Sequence, residues 1–543
     1  MMEREADMKH SFINLLRQPD SILFQFEDSG IRFEEADSRE EQTARMEYRI
    51  EENAGCIILY PSERPVKRVK LRWRGDMSDS MLLTGDALER IYDSSTAART
   101  GMIPQRMLPW YFQVYDGEKL NCFGVKTGAD AICCFQCDDS GITLWVDVRN
   151  GGGGVRLKEP LLAAKVVCRE GDPTETPFRA SKAFCSQMCD RPVLPQTPIF
   201  GANNWYWAYG KLNHDIVMTE TDQLMEMCRD AVHDPYMVID AGWQKGWYRT
   251  RENIVGNAGP WDQLGAGFSS MEDTAGRIKE KGARPGLWFR PLCTSVQVPG
   301  EWEGPRQMNQ RGIVLDPSHP DVLELVAQDT ARIAKWGYEL IKHDFTTIDT
   351  LSFHWEEDGN WHYYDQTITN ATMLKRLYQT IQKAAGDAVV LGCNTLNHLA
   401  AGIHAAQRSS EDTSGRYFEM TRRNGIASFI RLSQNQSFFA IDPDCAAFTE
   451  RVPVKENLDF LEACAVTGCI TLASVTPGIL KGNDLTRIRE IYRIASLGGC
   501  GAVPVDWLGH NICSRFQTPD GQRFSYDWYQ YYDGVRNFLS GLN

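Results

Sequence analysis

No stretch of the 543-residue chain approaches the ~20 consecutive apolar residues that a membrane-spanning helix needs. The opening residues, MMEREADMKHSF, lack the apolar core of a secretory signal, so a cytoplasmic protein without membrane contact is expected. Positive charge is in deficit: 58 Lys and Arg face 72 Asp and Glu. The resulting net charge of -14 argues against nucleic acid as a partner and leaves a neutral ligand open. Histidine is scarce, at ten residues, and no HExxH occurs. Asp442 with Asp444 alone would make an incomplete metal set, so neither metal nor cofactor is expected. The 16 Cys follow no framework spacing, and several lie in apolar runs, which points to reduced, buried thiols. Cys134 and Cys137 form a CxxC inside AICCFQC, whose alternation reads as a strand rather than a redox or metal motif. No Gly-Lys-Ser/Thr follows the Gly151 to Gly154 tract, which therefore reads as a loop and not as a phosphate cradle.

What is present falls into two textures. Up to about residue 190 the chain consists of short β-rich runs (SILFQFED, RVKLRWRGD, ITLWVDVRN) punctuated by Asp-Gly and Gly-rich turns, which predicts an antiparallel β-sandwich. From 191 to 498, strand and helix patterns alternate, the signature of an α/β domain with a parallel sheet. Eight strands are predicted, ending near Trp205, Trp243, Arg290, Phe345, Asn394, Arg408, Asp444 and Ser474. Helical periodicity separates most of them, as in Asp321 to Trp336 and Thr372 to Ala385. The interval 395–403 is too short for a full helix. Eight such units predict a (β/α)8 TIM barrel, and residues 499–543 a short C-terminal segment packed on it. Self-association is compatible with this architecture.

Polar residues gather at the predicted strand ends, where a barrel places its active site. They are Asn203, Asn204 and Trp205; Asp240 and Trp243; Trp288 and Arg290; Lys342 and Asp344; Cys393 and Asn394; Arg408 leading to Asp412; and Asp442 with Asp444. In YELIKHDFT, alternation puts Leu340, Lys342 and Asp344 toward the lumen and Ile341, His343 and Phe345 toward the helices. Each polar residue taken singly could merely end a strand; the clustering over seven strands points to a catalytic site. Trp205, Trp243 and Trp288 offer apolar faces suited to a pyranose, and the Asp, Asn and Arg groups suit hydroxyls, so a small carbohydrate or glycoconjugate is the expected partner. Glycoside cleavage needs two carboxyl groups. Asp344, with Lys342 two residues away favouring its anion, is expected to be the nucleophile. Asp412, in RSSEDTSGR, is expected to be the acid, retaining its proton in a partly desolvated position, with Glu411 as its rival.

These strand ends resemble those of glycoside hydrolase family 36, the melibiases, which share a clan with the family 27 α-galactosidases. The matching stretches are IDAGWQ (239–244), GLWFRP (286–291), LDPSHP (315–320), IKHDF (341–345), LGC (391–393), RSSED (408–412) and DPDC (442–445), in order over roughly residues 200–474. The resemblance implies an N-terminal sandwich before the barrel, Asp344 as nucleophile, Asp412 as acid/base and retention of configuration. It also implies sugar hydroxyls on Asp240, Lys342 and Arg408, with Trp205 and Cys393 lining the pocket. Three departures bear on the sugar: Ala241 where many relatives carry a second Asp, Asn394 where they carry Gly or Ser, and Ile441 where Asn is common. The implied activity is a retaining, exo-acting α-galactosidase. N-acetylgalactosamine or arabinopyranose specificity, transglycosylation of the raffinose-synthase type, and a non-catalytic carbohydrate-binding protein are the alternatives.

Overall fold

The computed structural model describes residues 12–35, 44–77, 81–89, 98–99, 106–245, 248–249, 254–255, 257–307, 312–351, 359–508 and 513–528. Among them the chain forms two compact units, one drawn from 1–88, 95–190 and 356–375, the other from 89–94, 191–355 and 376–543.

The first unit is built on a five-stranded and a seven-stranded sheet, both antiparallel. Strand Val66–Arg74 shows why its sequence reads as it does: Val69, Leu71 and Trp73 are buried while Lys70 and Arg72 are only half-buried. The two sheets meet through Tyr48 on Trp73 and Phe112 on Phe135, with ring centroids 5.6 and 5.3 Å apart. The glycine tract is a packing surface in this unit. A Cβ on Gly152 would lie 2.4 Å from Nε1 of Trp361, and the backbone of 151–152 exchanges hydrogen bonds with the backbone of Gly359 and Trp361 and with the Asn370 side chain. Gly151 and Gly152 let this backbone approach that of Gly359 and Trp361, Gly153 makes room for the His362 ring, and Gly154 packs on Pro65. All 16 Cys are free thiols, and all but Cys168 and Cys500 are buried. Burial pushes the Cys134 and Cys137 thiols up, which keeps them protonated.

The second unit is the barrel. Its strands are β1 (Phe200–Asn203), β2 (Tyr236–Ile239), β3 (Arg284–Phe289), β4 (Leu340–His343), β5 (Val389–Gly392), β6 (Ala406–Arg408), β7 in two pieces (Ala440–Asp442 and Cys445–Phe448) and β8 (Thr471–Val475). All pair in parallel, in sequence order. The ring closes through the break in β7: its first piece pairs with β6, its second with β8, and β8 pairs with β1. Pro443 and Asp444, the latter at φ +76°, make the break. Gly201 of β1 is required by close approach, since a Cβ there would lie 2.0 Å from the carbonyl oxygen of Tyr236. Tyr236, Val238, Leu340, Leu391, Ala406, Ala440, Cys445 and Leu472 fill the lumen.

Helices cover the outside where period and caps place them. The LDPSHP stretch is such a cap: Asp316 accepts the Ser318 N–H at 2.7 Å, and His319 Nδ1 accepts that of Asp321 at 3.2 Å. Pro320 then opens the helix Pro320–Lys335. Between β5 and β6 only the four-residue turn Asn397–Ala400 fits. The C-terminal segment is a three-stranded antiparallel sheet, held by Trp507 Nε1 donating to the Ile430 carbonyl at 2.8 Å and by Phe516 packing on Phe429 at 5.4 Å. Residues 529–543, the end of the predicted C-terminal segment, lie outside the described residues. Among the described residues no helix is long and apolar enough to cross a membrane.

Candidate active site

The end of β4 carries Lys342 and Asp344 into the barrel mouth, but their partners differ from the expectation. Lys342 Nζ donates to Asp240 Oδ2 at 2.7 Å, across from β2, rather than to Asp344. Burial alone would lower the Lys342 pKa; the Asp240 carboxylate outweighs it and holds the ammonium charged. Asp240 is itself fixed by Asn203 Nδ2 at 2.8 Å and by the Ala241 N–H at 2.9 Å. The reason is geometric: the β4 ladder ends at His343, and Phe345 takes φ +64°, so strict alternation stops before Asp344. Phe345 turns under Arg290, whose guanidinium lies 4.4 Å over its ring, instead of facing the helices. Asp344 is oriented by Trp288 Nε1 at 3.1 Å on one oxygen and the Phe345 N–H at 2.8 Å on the other.

Arg408, at the end of β6, sits among three carboxylates: Asp412 at 3.1 Å, Asp442 at 3.3 Å and Asp444 at 2.7 Å. Asp442 and Asp444 are buried, and Asp444 also accepts the Tyr206 hydroxyl and, at 2.8 Å, the Thr413 N–H. Burial raises the Asp444 pKa; Arg408 opposes that, and Asp412 and Asp442 reinforce it. Asp412 is the accessible member, with 51% of its side chain exposed. That corrects the expected desolvated setting: Asp412 is open to water, and any desolvation of it would have to come from a bound ligand.

The other residues singled out from the sequence divide sharply. Trp205 is half-buried and packed on the lumen core, and Cys393 is buried within it. Trp243 has no face on the mouth. It is 0% exposed, lies against Trp261 and Trp336, and donates its indole N–H to the Trp288 carbonyl at 2.8 Å. Trp288, at 2% exposure, orients Asp344 rather than offering a stacking surface. Asn204 is committed on both sides, accepting the Asp240 N–H at 2.9 Å and donating to Glu220 at 3.2 Å. Asn394 is wholly buried. It accepts the Ile348 N–H at 3.0 Å and donates to Glu89 at 2.8 Å, so it braces the turn after β4. These positions hold the site without facing it.

Sequence reasoning overlooked Tyr206, Glu220 and Glu89. Tyr206 had a signal, an aromatic residue directly after the first strand end. Glu220 had none beyond an acidic residue on a helix. Its pKa is raised to about 8 by burial, against hydrogen bonds from Trp207 and Asn204. Behind the site, His343 and His404 form a fully buried pair, Nε2 to Nε2 3.1 Å. Burial lowers the pKa of both, that of His343 to about 4. Below pH ~6.5 an unfolded chain takes up protons that this folded pair refuses. Stability is therefore fully present above that pH and falls as pH drops toward 4, by up to about 1.4 kcal/mol per pH unit for each histidine. Urea midpoints measured between pH 7.5 and 5 should decline, and His404→Gln should flatten the decline; an unchanged slope would remove the pair as its cause.

Among the described residues no group of three or more His, Cys, Asp or Glu is placed to hold a metal. No protein-family model matches the chain. Solved structures do. An α-galactosidase from Thermus thermophilus, in complex with p-nitrophenyl α-D-galactopyranoside, matches at a TM-score of 0.61 and 14% identity, over 89% of this chain and 96% of that one. A family 36 α-galactosidase from Geobacillus stearothermophilus, in complex with 1-deoxygalactonojirimycin, matches at 0.56 and 13%, over 88% and 71%. A family 36 enzyme from the same organism holding raffinose matches at 0.55 and 12%, over 92% and 79%. The sandwich and the ring of eight parallel strands are thus those of a known architecture, and by its fold the chain is akin to the family 36 α-galactosidases.

Proposed function

We propose that the protein is a retaining, exo-acting glycoside hydrolase that removes terminal α-galactosyl residues. The observation that carries this reading is the unlike pair of carboxylates: Asp344, buried and oriented by two donors at the end of β4, and Asp412, half-exposed and tethered to Arg408 at the end of β6. An oriented anion suits a nucleophile; an accessible carboxyl that substrate can desolvate suits an acid/base. Asp344 attacks the anomeric carbon while Asp412 protonates the departing oxygen. Asp412 then takes a proton from water, which displaces the sugar from Asp344. The Asp240–Lys342 pair presents an acceptor and a donor side by side for neighbouring sugar hydroxyls, and no cofactor enters the scheme. The reading includes a cytoplasmic location.

One observation favours a second sugar. Ala241 is buried beside Asp240 and brings no hydrogen-bonding side chain where a second carboxylate could reach a hydroxyl. An arabinopyranoside or an N-acetylgalactosaminide then competes with the galactoside, and a panel of aryl α-glycosides ranks them.

Proton NMR of the first product from p-nitrophenyl α-galactoside is the test of mechanism. Release of α-galactose supports the scheme; release of β-galactose rejects double displacement. Asp412→Ala should cost about 100-fold or more on a poor leaving group and much less on a dinitrophenyl one. Equal losses, or a larger loss in Glu411→Gln, would move the acid role away from Asp412.

A further inference from the structure

The loop that carries Asp412 continues into a surface the catalytic scheme does not use. It is fastened at several points. Thr413 donates to Asp444 and to the Cys445 carbonyl, the Gly415 N–H reaches the Tyr209 hydroxyl at 3.2 Å, and Thr449 Oγ1 donates to the Gly415 carbonyl at 2.6 Å. The approach is so close that a Cβ on Gly415 would lie 1.8 Å from the Tyr206 carbonyl oxygen. Four residues beyond Asp412, Arg416 lies with its guanidinium carbon 4.1 Å over the ring of Tyr209, which in turn packs edge-on against Trp205 at 5.7 Å. Beside it Tyr417 is 42% exposed, and Arg451, from the loop after β7, lies 5.7 Å over its ring.

Neither Arg416 nor Arg451 pairs with a carboxylate of the described residues, in a protein whose acids outnumber its bases. Exposed Glu450, next to Arg451, makes no ion pair with it, and Glu419 is taken by Arg422. An arginine stacked on an aromatic ring keeps its N–H edge free, and that edge matches the two oxygens of a carboxylate or phosphate. An acid that protonates the departing oxygen has its own loop on the leaving-group side.

We infer that Arg416 and Arg451, on the faces of Tyr209 and Tyr417, form a leaving-group subsite that takes an anionic aglycone, one bearing a carboxylate or a phosphate. The inference rests on Asp412 being the acid of a glycoside hydrolase. Charge on the sugar itself is not involved, because the Asp240–Lys342 and Arg408 clusters are already internally paired.

The test is the ratio of kcat/KM for aryl α-galactosides carrying a carboxylate or a phosphate on the ring to that for neutral p-nitrophenyl α-galactoside. Leaving-group differences cancel when this ratio is compared between proteins. In Arg416→Gln/Arg451→Gln it should fall about tenfold at low ionic strength. Arg416→Lys/Arg451→Lys, which restores charge without the planar fork, should keep most of it. Raising salt from about 20 mM to about 0.5 M should shrink the ratio in the unmodified protein toward that of the Gln variant. The two anionic substrates separate carboxylate from phosphate preference. An unchanged ratio in a Gln variant that still turns over the neutral substrate overturns the subsite alone. Absence of turnover by the unmodified protein on every aryl α-glycoside of the panel, the arabinopyranoside and N-acetylgalactosaminide included, rejects the hydrolase reading, and the subsite with it.

Discussion

Asp344→Asn is expected to lower kcat/KM on p-nitrophenyl α-galactoside by about 10^4-fold or more, the scale of losing a nucleophile that acts only in the transition state. The amide keeps the size of the side chain, but its single oxygen can accept from only one of the Trp288 indole and the Phe345 N–H, which now meet different oxygens, and its NH2 then faces the other donor. What disappears is the anion that forms the glycosyl bond. One lost acceptor should cost about 1–3 kcal/mol of stability, while turnover collapses by far more than that loss explains. Asp344→Gly opens room at the same place, and azide should restore turnover of an activated galactoside and give the β-galactosyl azide, because a small anion then attacks from the face the carboxylate used. Normal activity in Asp344→Asn together with no azide product in Asp344→Gly would move the nucleophile elsewhere.

The second large effect is on folding. Arg408 is buried and holds Asp442 and Asp444, which are buried with it. Arg408→Met removes the cation and leaves two buried carboxylates without their counter-charge. Breaking a buried ion pair from one side costs about 3–5 kcal/mol. The expected outcome is a marked drop in the urea midpoint of the barrel, or loss of soluble protein. Arg408→Lys keeps the charge but cannot reach three carboxylates at once, so an intermediate midpoint is expected. A double change, Asp444→Asn with Arg408→Met, should recover part of the loss by removing one orphaned charge. If Arg408→Met unfolds at the same urea concentration as the unmodified protein, the cluster does not hold the barrel together.

Much of the fold is legible from local pattern. Each of the eight barrel strands lies within or beside the stretch that alternation and apolar runs mark out, because a strand buried on both faces leaves that trace in its own residues. The split of β7 is different. Ile441, Pro443 and Asp444 read as the tail of one strand, yet the chain turns at Asp444 and serves two neighbours. The ring closes through this break, and no local period encodes it. Trp243 and Trp288 show the same limit for function. An aromatic residue at a strand end can face a ligand or a helix, and only the packing of Trp261 and Trp336 decides for Trp243.

The sequence by itself determined the class of the architecture, the strand ends where chemistry can sit, and the two aspartates in question, because period, caps and turn residues act over a few neighbours. The tertiary structure alone decided the pairings. Lys342 finds Asp240, 102 residues away, and Asn394 finds Glu89, 305 residues away. It also decided that Arg408 gathers three carboxylates and that Arg416 and Arg451 gather none among the described residues. The physical reason is that a buried charge must be matched wherever the chain brings a partner. At a strand end, where the ladder has stopped and φ turns positive at Phe345 and Asp444, the direction of a side chain follows its surroundings and no longer its position in the pattern.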